Sequence, residues 1–116
     1  MIKSFACALE GIFRGFKGRN FKIHLGVATL VLVASVWLKI SISEWIIVLI
    51  LIGVVLAAEL FNTSIEELAN TVRDEDKLGH EATRSARDLA AGAVLVAAMA
   101  AAVTGLIIFL PKINIA

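Results

Sequence analysis

Apolar residues fall into three long runs separated by two polar stretches of unequal length. Ile23 to Leu38 is broken only by His24, Thr29 and Ser35, Trp45 to Ala58 is apolar throughout, and Leu89 to Leu110 runs 22 residues without a charge before Pro111 and Lys112. A bilayer crossing takes about 20 such residues, which the third run supplies unaided. The first run reaches that length by adding Phe21 and Ile40, with Lys22 and Lys39 extending their amines to the interface. The second reaches back to Ile40 and forward to Leu60 and Phe61, with Trp37 and Trp45 placed as interfacial anchors. Ala90, Ala91, Gly92, Ala93, Ala97 and Ala98 give the third run a small-residue half suited to close helix packing in lipid. Ahead of the first run, Ile2, Phe5, Leu9, Phe13 (or Ile12) and Phe16 recur at three- and four-residue steps, with Lys3, Glu10, Arg14 and Lys17 largely elsewhere around the helix. That spacing predicts an amphipathic helix lying on the membrane surface, weakened by Gly15 and ended at Gly18-Arg19-Asn20. The expected architecture is all-α and integral to the membrane, in one domain: a surface helix over 1–18, a first transmembrane helix over 21–40, a second with its cytoplasmic extension over 44–70, a loop over 71–83 and a third transmembrane helix over 84–110.

Composition agrees with this reading. Of 116 residues 59% are hydrophobic and 18% charged, and the mean hydropathy is +0.91. A soluble domain of this size buries only about two-thirds of the surface its unfolded chain exposes and so needs a more polar exterior. Cys7 is the single cysteine, which excludes an intrachain disulfide framework, and no zinc-ligand cluster occurs. The 22-residue leader and the lack of a small-x-small site followed by soluble sequence point to a retained crossing rather than a cleaved signal.

Charge then sets the orientation. Residues 1–22 carry five basic residues against Glu10, while 59–88 holds eight of the ten acids against Arg73, Lys77, Arg84 and Arg87. With three crossings, nine of the eleven Lys and Arg residues lie on the side of the amino terminus and the 59–88 loop. The positive-inside rule places both in the cytoplasm. The basic residues form no stripe interleaved with aromatics, so no nucleic-acid partner is expected.

Candidate chemistry concentrates where the second run turns polar. At about 100° per residue, Glu59, Asn62, Thr63, Glu66 and Asn70 share one side of a helix. Glu59 follows fourteen apolar residues and falls at the hydrocarbon boundary, where an ionisable side chain is a functional candidate by default. A structural carboxylate met by a lysine or a backbone donor of another helix is the plain alternative. Across the loop, Arg87 and Asp88 lead into the third crossing at the same depth, either as a helix-end charge pair or as part of the same site. Carboxylates and an arginine at one membrane face suit Mg-nucleotide chemistry, because Mg²⁺ takes one or two carboxylates plus phosphate oxygens and a guanidinium grips phosphate bidentately. A carboxylate nearer the lipid then has the position to accept a proton from a lipid hydroxyl. No phosphate-binding glycine loop or kinase catalytic-loop signature occurs. His24, just inside the first run, reads first as a packing or interface histidine, and His80, beside Glu81, as a solvated residue within reach of a nucleotide.

At these residues the sequence resembles a known family. Glu59-Leu-Phe-Asn62-Thr63-Ser-Ile65-Glu66 is similar to the Glu-x-x-Asn-Thr/Ser-x-Ile-Glu signature of the small prokaryotic integral-membrane lipid kinases, the diacylglycerol kinase and undecaprenol kinase family. Ala86-Arg87-Asp88-Leu-Ala-Ala-Gly92-Ala93-Val94 resembles their second signature, and Arg19-Asn20-Phe21-Lys22-Ile-His24 the segment entering the first crossing. The resemblance implies a homotrimer with three transmembrane helices per subunit, an amphipathic surface helix and active sites shared between subunits. It implies ATP as phosphoryl donor with Mg²⁺, Glu59 as general base toward the lipid hydroxyl, Glu66 as Mg²⁺ ligand and Asn62 as its polar partner. Arg87 and Asp88 would act on the nucleotide, with His80 a further candidate.

The chain departs from the family pattern at several places. Gly18 stands where an acidic metal ligand precedes the Arg-Asn pair, and the stretch from Gly11 is shorter. Asn70 replaces an aspartate, Arg87 a lysine, and the loop within 71–83 is longer. The expected function is an ATP- and Mg²⁺-dependent lipid kinase of the prokaryotic cytoplasmic membrane. Undecaprenol is the preferred acceptor, on resemblance of Ser43-Glu44-Trp45-Ile46-Ile47 and Gly105 to Lys112 to the Gram-positive branch, and diacylglycerol is the alternative. A small oligomeric transporter using Glu59 to couple protons or cations, and a lipid-binding homologue that has lost catalysis through Gly18 and Asn70, are the readings from other classes.

Overall fold

The computed structural model describes residues 1–76 and 80–113, apart from the side chains of Asp76 and His80, and within them the chain is helical. Helix α1 spans Ile2–Gly15, α2 Arg19–Trp37, α3 Ile42–Asp76 and α4 Arg84–Ile113, with a 3-10 helix over His80–Thr83 leading into α4. Helices α2, α3 and α4 are each long and apolar enough to cross a membrane. The protein is a multi-pass membrane protein. Its apolar side chains are displayed rather than buried: Leu30, Val33, Ile50, Leu95, Val96 and Ile107 are all more than half exposed around the crossing helices. In water such a surface is untenable, whereas hydrocarbon or a neighbouring apolar helix satisfies it.

Helix α3 carries most of the architecture. Its 35 residues rise roughly 52 Å at 1.5 Å per residue, against a hydrocarbon layer of about 30 Å, so several turns project beyond the lipid. The helix therefore runs past the expected boundary at Asn70 and takes in residues 71–76, which the sequence reading assigned to the loop. Thr-Val-Arg-Asp-Glu-Asp contains no glycine or proline to stop it, and Thr71 bonds back to the Glu67 carbonyl at 3.0 Å. Helix α4 likewise continues through Pro111 to Ile113, because a proline in the last turn forgoes only one backbone bond.

The turn between α2 and α3 is set by two local devices back to back. Lys39 takes a left-handed backbone, φ 53°, just past the end of α2, while the Ile40 and Lys39 amides bond the Ser35 and Val36 carbonyls, each at 3.3 Å. This double closure satisfies carbonyls that a helix end otherwise leaves free. Ser41 then caps α3: its Oγ accepts from the Glu44 amide at 3.2 Å and Glu44 Oε1 accepts from the Ser41 amide at 2.9 Å. Ile40 is buried between the two and packs with Val48, Ile108 and Trp45.

Helix α4 lies antiparallel along α3, in a more extensive contact than α2 makes. Two polar contacts mark the register: Arg87 to Asn70 at one end, and Lys112 Nζ to Glu44 Oε1 at 3.0 Å at the other. They are separated by 26 residues on α3 and 25 on α4, so the helices stay in step along their shared length. At the corner where α1 meets the second half of α3, Gly15 closes α1 against Leu60, where an added Cβ would run into the end of the leucine. Phe16 and the buried Phe21 stack at 5.2 Å beside it. This corner brings α1 and the start of α2 to the residue following Glu59.

Candidate active site

Glu59 lies 17 residues beyond the first residue of α3, roughly 26 Å along its axis, which puts it just within the thickness of the hydrocarbon layer. It is 3% exposed. The group facing it is His24 of α2, with Nε2 3.7 Å from Glu59 Oε2. The partner of Glu59 is thus neither a lysine nor a backbone donor, and His24, a packing or interface histidine by sequence, sits between helices. The histidine and the carboxylate meet because α2 and α3 are antiparallel and the second turn of one faces the emerging turns of the other. His24 also lines one end of an apolar cleft of about 340 Å³ between α2, α3 and α4, walled by Val31, Ile52, Val55 and the small residues Ala98, Ala101 and Gly105.

One turn further along α3, Asn62 is buried at 4% exposure and donates from Nδ2 to Glu66 Oε1 at 3.0 Å. Its Oδ1 is buried with no hydrogen-bond partner among the described residues. A buried amide oxygen left unpaired costs about 1–3 kcal/mol, so this atom is poised for a ligand. Glu66 itself is exposed. Another turn on, Asn70 Oδ1 accepts from Arg87 Nη2 at 2.7 Å, and Thr83 Oγ1 accepts from Arg87 Nε at 3.0 Å. The family pattern's two exchanges at 70 and 87 are thus one contact between α3 and α4. Asn70 and Thr83 as partners of Arg87 were not legible beforehand; the shared helix face offered a signal for Asn70, and nothing did for Thr83.

The remaining candidates lie apart. Asp88 is exposed, pairs with Arg84 at 3.8 Å, and faces a separate open hollow with Glu81, Ser85 and Gly92, because one residue turns it about 100° from Arg87. His80 opens the 3-10 helix and its side chain lies outside the described residues. Gly18 precedes α2 as its N-cap in extended backbone and brings no acid to the site.

Can these residues hold Mg²⁺ and a nucleotide? Among the described residues no group of three His, Cys, Asp or Glu side chains converges on one point. The described residues therefore build no closed protein cage for a metal. Asn62 Oδ1 and the Glu66 carboxylate are hard oxygen donors on adjacent turns, which suits Mg²⁺ that keeps water and phosphate oxygens for its other positions. The donor set fits a Mg-nucleotide.

The family profile of Prokaryotic diacylglycerol kinase matches residues 6–109. The chain belongs to this family. Its members are lipid kinases, and this chain is one of them. It is 40% identical over 112 residues to the undecaprenol kinase of Bacillus subtilis, covering 96% of this chain and 89% of that one. It is 32% identical over 114 residues to the diacylglycerol kinase of Synechocystis sp., covering 97% of this chain and 64% of that longer relative. No solved structure matches. In this prokaryotic diacylglycerol kinase family member, the Glu59, Asn62 and Glu66 series and Arg87 all lie inside the matched region.

Proposed function

We propose that the protein transfers the γ-phosphoryl group of Mg-ATP to the hydroxyl of a membrane lipid alcohol, with undecaprenol as its acceptor. The observation that carries this reading is the ladder on α3. A buried carboxylate at lipid depth, a buried amide one turn and an exposed carboxylate two turns further out, and a fixed guanidinium beyond them run from the lipid toward water. Glu59 accepts the hydroxyl proton as the lipid oxygen bonds to the γ-phosphorus and the bond to the β-phosphate oxygen breaks, releasing ADP. His24 holds the carboxylate in place and steadies its charge from α2. Asn62 Oδ1 and Glu66 would hold the metal of Mg-ATP, which would supply positive charge beside the phosphate oxygens. Arg87 grips phosphate oxygens one turn further out. The cleft ending at His24 gives the hydrocarbon part of the acceptor an approach from the lipid side.

In this reading the active protein is a homotrimer whose neighbouring subunit completes the site, which supplies the ligands that one chain lacks; Asp88, with His80 as a further candidate, would then act on the nucleotide from its own face. Helix α1 lies on the cytoplasmic surface of the cell membrane, with Ile2, Phe5, Leu9 and Phe13 in the lipid headgroup region, and the amino terminus and the 59–88 segment are cytoplasmic. The preference for undecaprenol rests on the Bacillus subtilis relative's name. Competition between undecaprenol and diacylglycerol in mixed micelles, read as the ratio of kcat/KM, tests it: a ratio favouring undecaprenol supports the assignment, and a ratio favouring diacylglycerol replaces it.

A further inference from the structure

Three arginines at the cytoplasmic end of the molecule have their partners described, and they are held in two different ways. Arg73 pairs with Asp74, and Arg84 with Glu81 and Asp88. Arg87 is bound only by neutral oxygens, the Asn70 amide and the Thr83 hydroxyl, and no carboxylate among the described residues comes within 4.0 Å of it. It is also less exposed than Arg84, which has side-chain exposure of 63%. Two of its five N–H groups are therefore used to fix the plane of the guanidinium, one from Nε and one from Nη2, while no carboxylate of the described residues cancels its charge. A carboxylate at position 70 would have the same length and offer the same oxygen. It would hold the guanidinium equally well and neutralise it. The choice of amide over acid at this one place separates orientation from charge.

The location gives that separation a use. Asn70 lies eleven residues past Glu59, and eleven residues bring a helix back to within about 20° of the same face. It is one turn beyond Glu66, the outermost oxygen donor of the ladder. The Asn70 oxygen is committed to Arg87, so Asn62 Oδ1 is the amide oxygen left for a metal. We propose that Asn70 is a positioning residue that aims Arg87 at the nucleotide's phosphates while leaving its charge intact, and so sets the affinity for Mg-nucleotide. This rests on the reading that Arg87 meets the phosphates.

The test is equilibrium binding of Mg²⁺ with a non-hydrolysable ATP analogue to the full-length protein in lipid micelles, for the natural chain, Asn70→Asp and Asn70→Ala, beside thermal unfolding of each. Asn70→Asp should weaken binding about tenfold, the scale of losing one charge-assisted hydrogen bond to phosphate, while thermal stability holds or rises because an ion pair has been gained. Asn70→Ala keeps the charge but frees the guanidinium, and should weaken binding by a smaller factor, about threefold, the lower end of what losing one hydrogen bond within the site removes. In turnover, Asn70→Asp should raise the KM for Mg-ATP with kcat and the lipid KM nearly unchanged. Equal binding by Asn70→Asp and the natural chain overturns the proposal, as does weaker binding accompanied by a lower unfolding temperature, which would make the contact merely structural. A natural chain that binds no nucleotide overturns both this proposal and the nucleotide part of the function. Tenfold weaker binding by Asn70→Asp, from a chain that phosphorylates no lipid, sustains the proposal and overturns the lipid kinase reaction alone.

Discussion

Replacing His24 with alanine removes the one polar group found within ion-pair reach of Glu59 among the described residues. At 3.7 Å two full charges attract by about 4 kcal/mol at an effective dielectric near 20, before any desolvation is subtracted. The imidazole side chain is 22% exposed and the carboxylate 4%, so the pair is enclosed on the carboxylate's side only. At 3.7 Å the contact is longer than a hydrogen bond, so a neutral imidazole contributes less than the net value of one, about 1 kcal/mol. Between these limits, a coupling of about 1–2 kcal/mol is expected for this contact. The assay is a double-mutant cycle in stability: the natural chain, His24→Ala, Glu59→Gln and the double variant, unfolded by SDS titration in mixed micelles and followed by the fluorescence of Trp37 and Trp45. His24→Ala leaves a buried carboxylate without its partner and should destabilise by about 2 kcal/mol, below the 3–5 of a fully enclosed pair because the imidazole side of this one is partly open. In the double variant that loss should largely disappear, since no charge remains to be stranded. His24→Gln, which keeps a polar N–H group beside the carboxylate, should recover part of it. Losses that add to within about 0.5 kcal/mol would mean that the two side chains do not interact, and would refute the role given to His24.

Four further outcomes follow from the geometry. Lys39→Gly removes the penalty of a left-handed backbone on a side-chain-bearing residue and should stabilise the α2–α3 turn by about 1 kcal/mol, read as a raised unfolding midpoint. Lys112→Ala breaks the pair with Glu44 at the end of the bundle far from the site, and should cost at most about 1 kcal/mol with lipid phosphorylation unchanged. Gly15→Leu drives a side chain into Leu60 and should destabilise by about 1–3 kcal/mol, lowering activity through displacement of the corner beside Glu59; full activity would show that this corner does not support the site. Arg87→Lys gives up the two-point hold by Asn70 and Thr83, and should raise the KM for Mg-ATP by roughly three- to tenfold with little change in the lipid KM.

Much of this molecule was readable from hydropathy alone, for a physical reason. In a membrane every crossing must satisfy its own backbone, so an apolar run of sufficient length has only one structure open to it. The three crossings and the placement of Glu59, Asn62 and Glu66 on one face of α3 follow from run length and helical period. Element ends were less legible. A polar stretch after a crossing reads as a loop, yet 71–76 contains no helix breaker and α3 continues through it. The turn at Lys39 to Glu44 carried a signal, Ser41 with Glu44 three residues on, that specifies a helix start. Contacts between helices were the least legible. His24 meets Glu59, and Arg87 rather than Asp88 turns toward α3, through the rotation of each helix about its axis, which packing decides and periodicity does not.

The central claim is that Glu59 accepts the proton of the lipid hydroxyl while Glu66 serves the metal of the nucleotide. The measurement that tests it most directly is transfer of label from γ-labelled Mg-ATP to undecaprenol in mixed micelles by the natural chain, Glu59→Gln and Glu66→Gln, with nucleotide binding measured on the same preparations. Transfer should fall by about 10²–10⁴-fold in Glu59→Gln with nucleotide affinity retained, the range expected for loss of a general base. Glu66→Gln should lose transfer and Mg-nucleotide affinity together. Transfer by Glu59→Gln at a rate close to that of the natural chain would contradict the account.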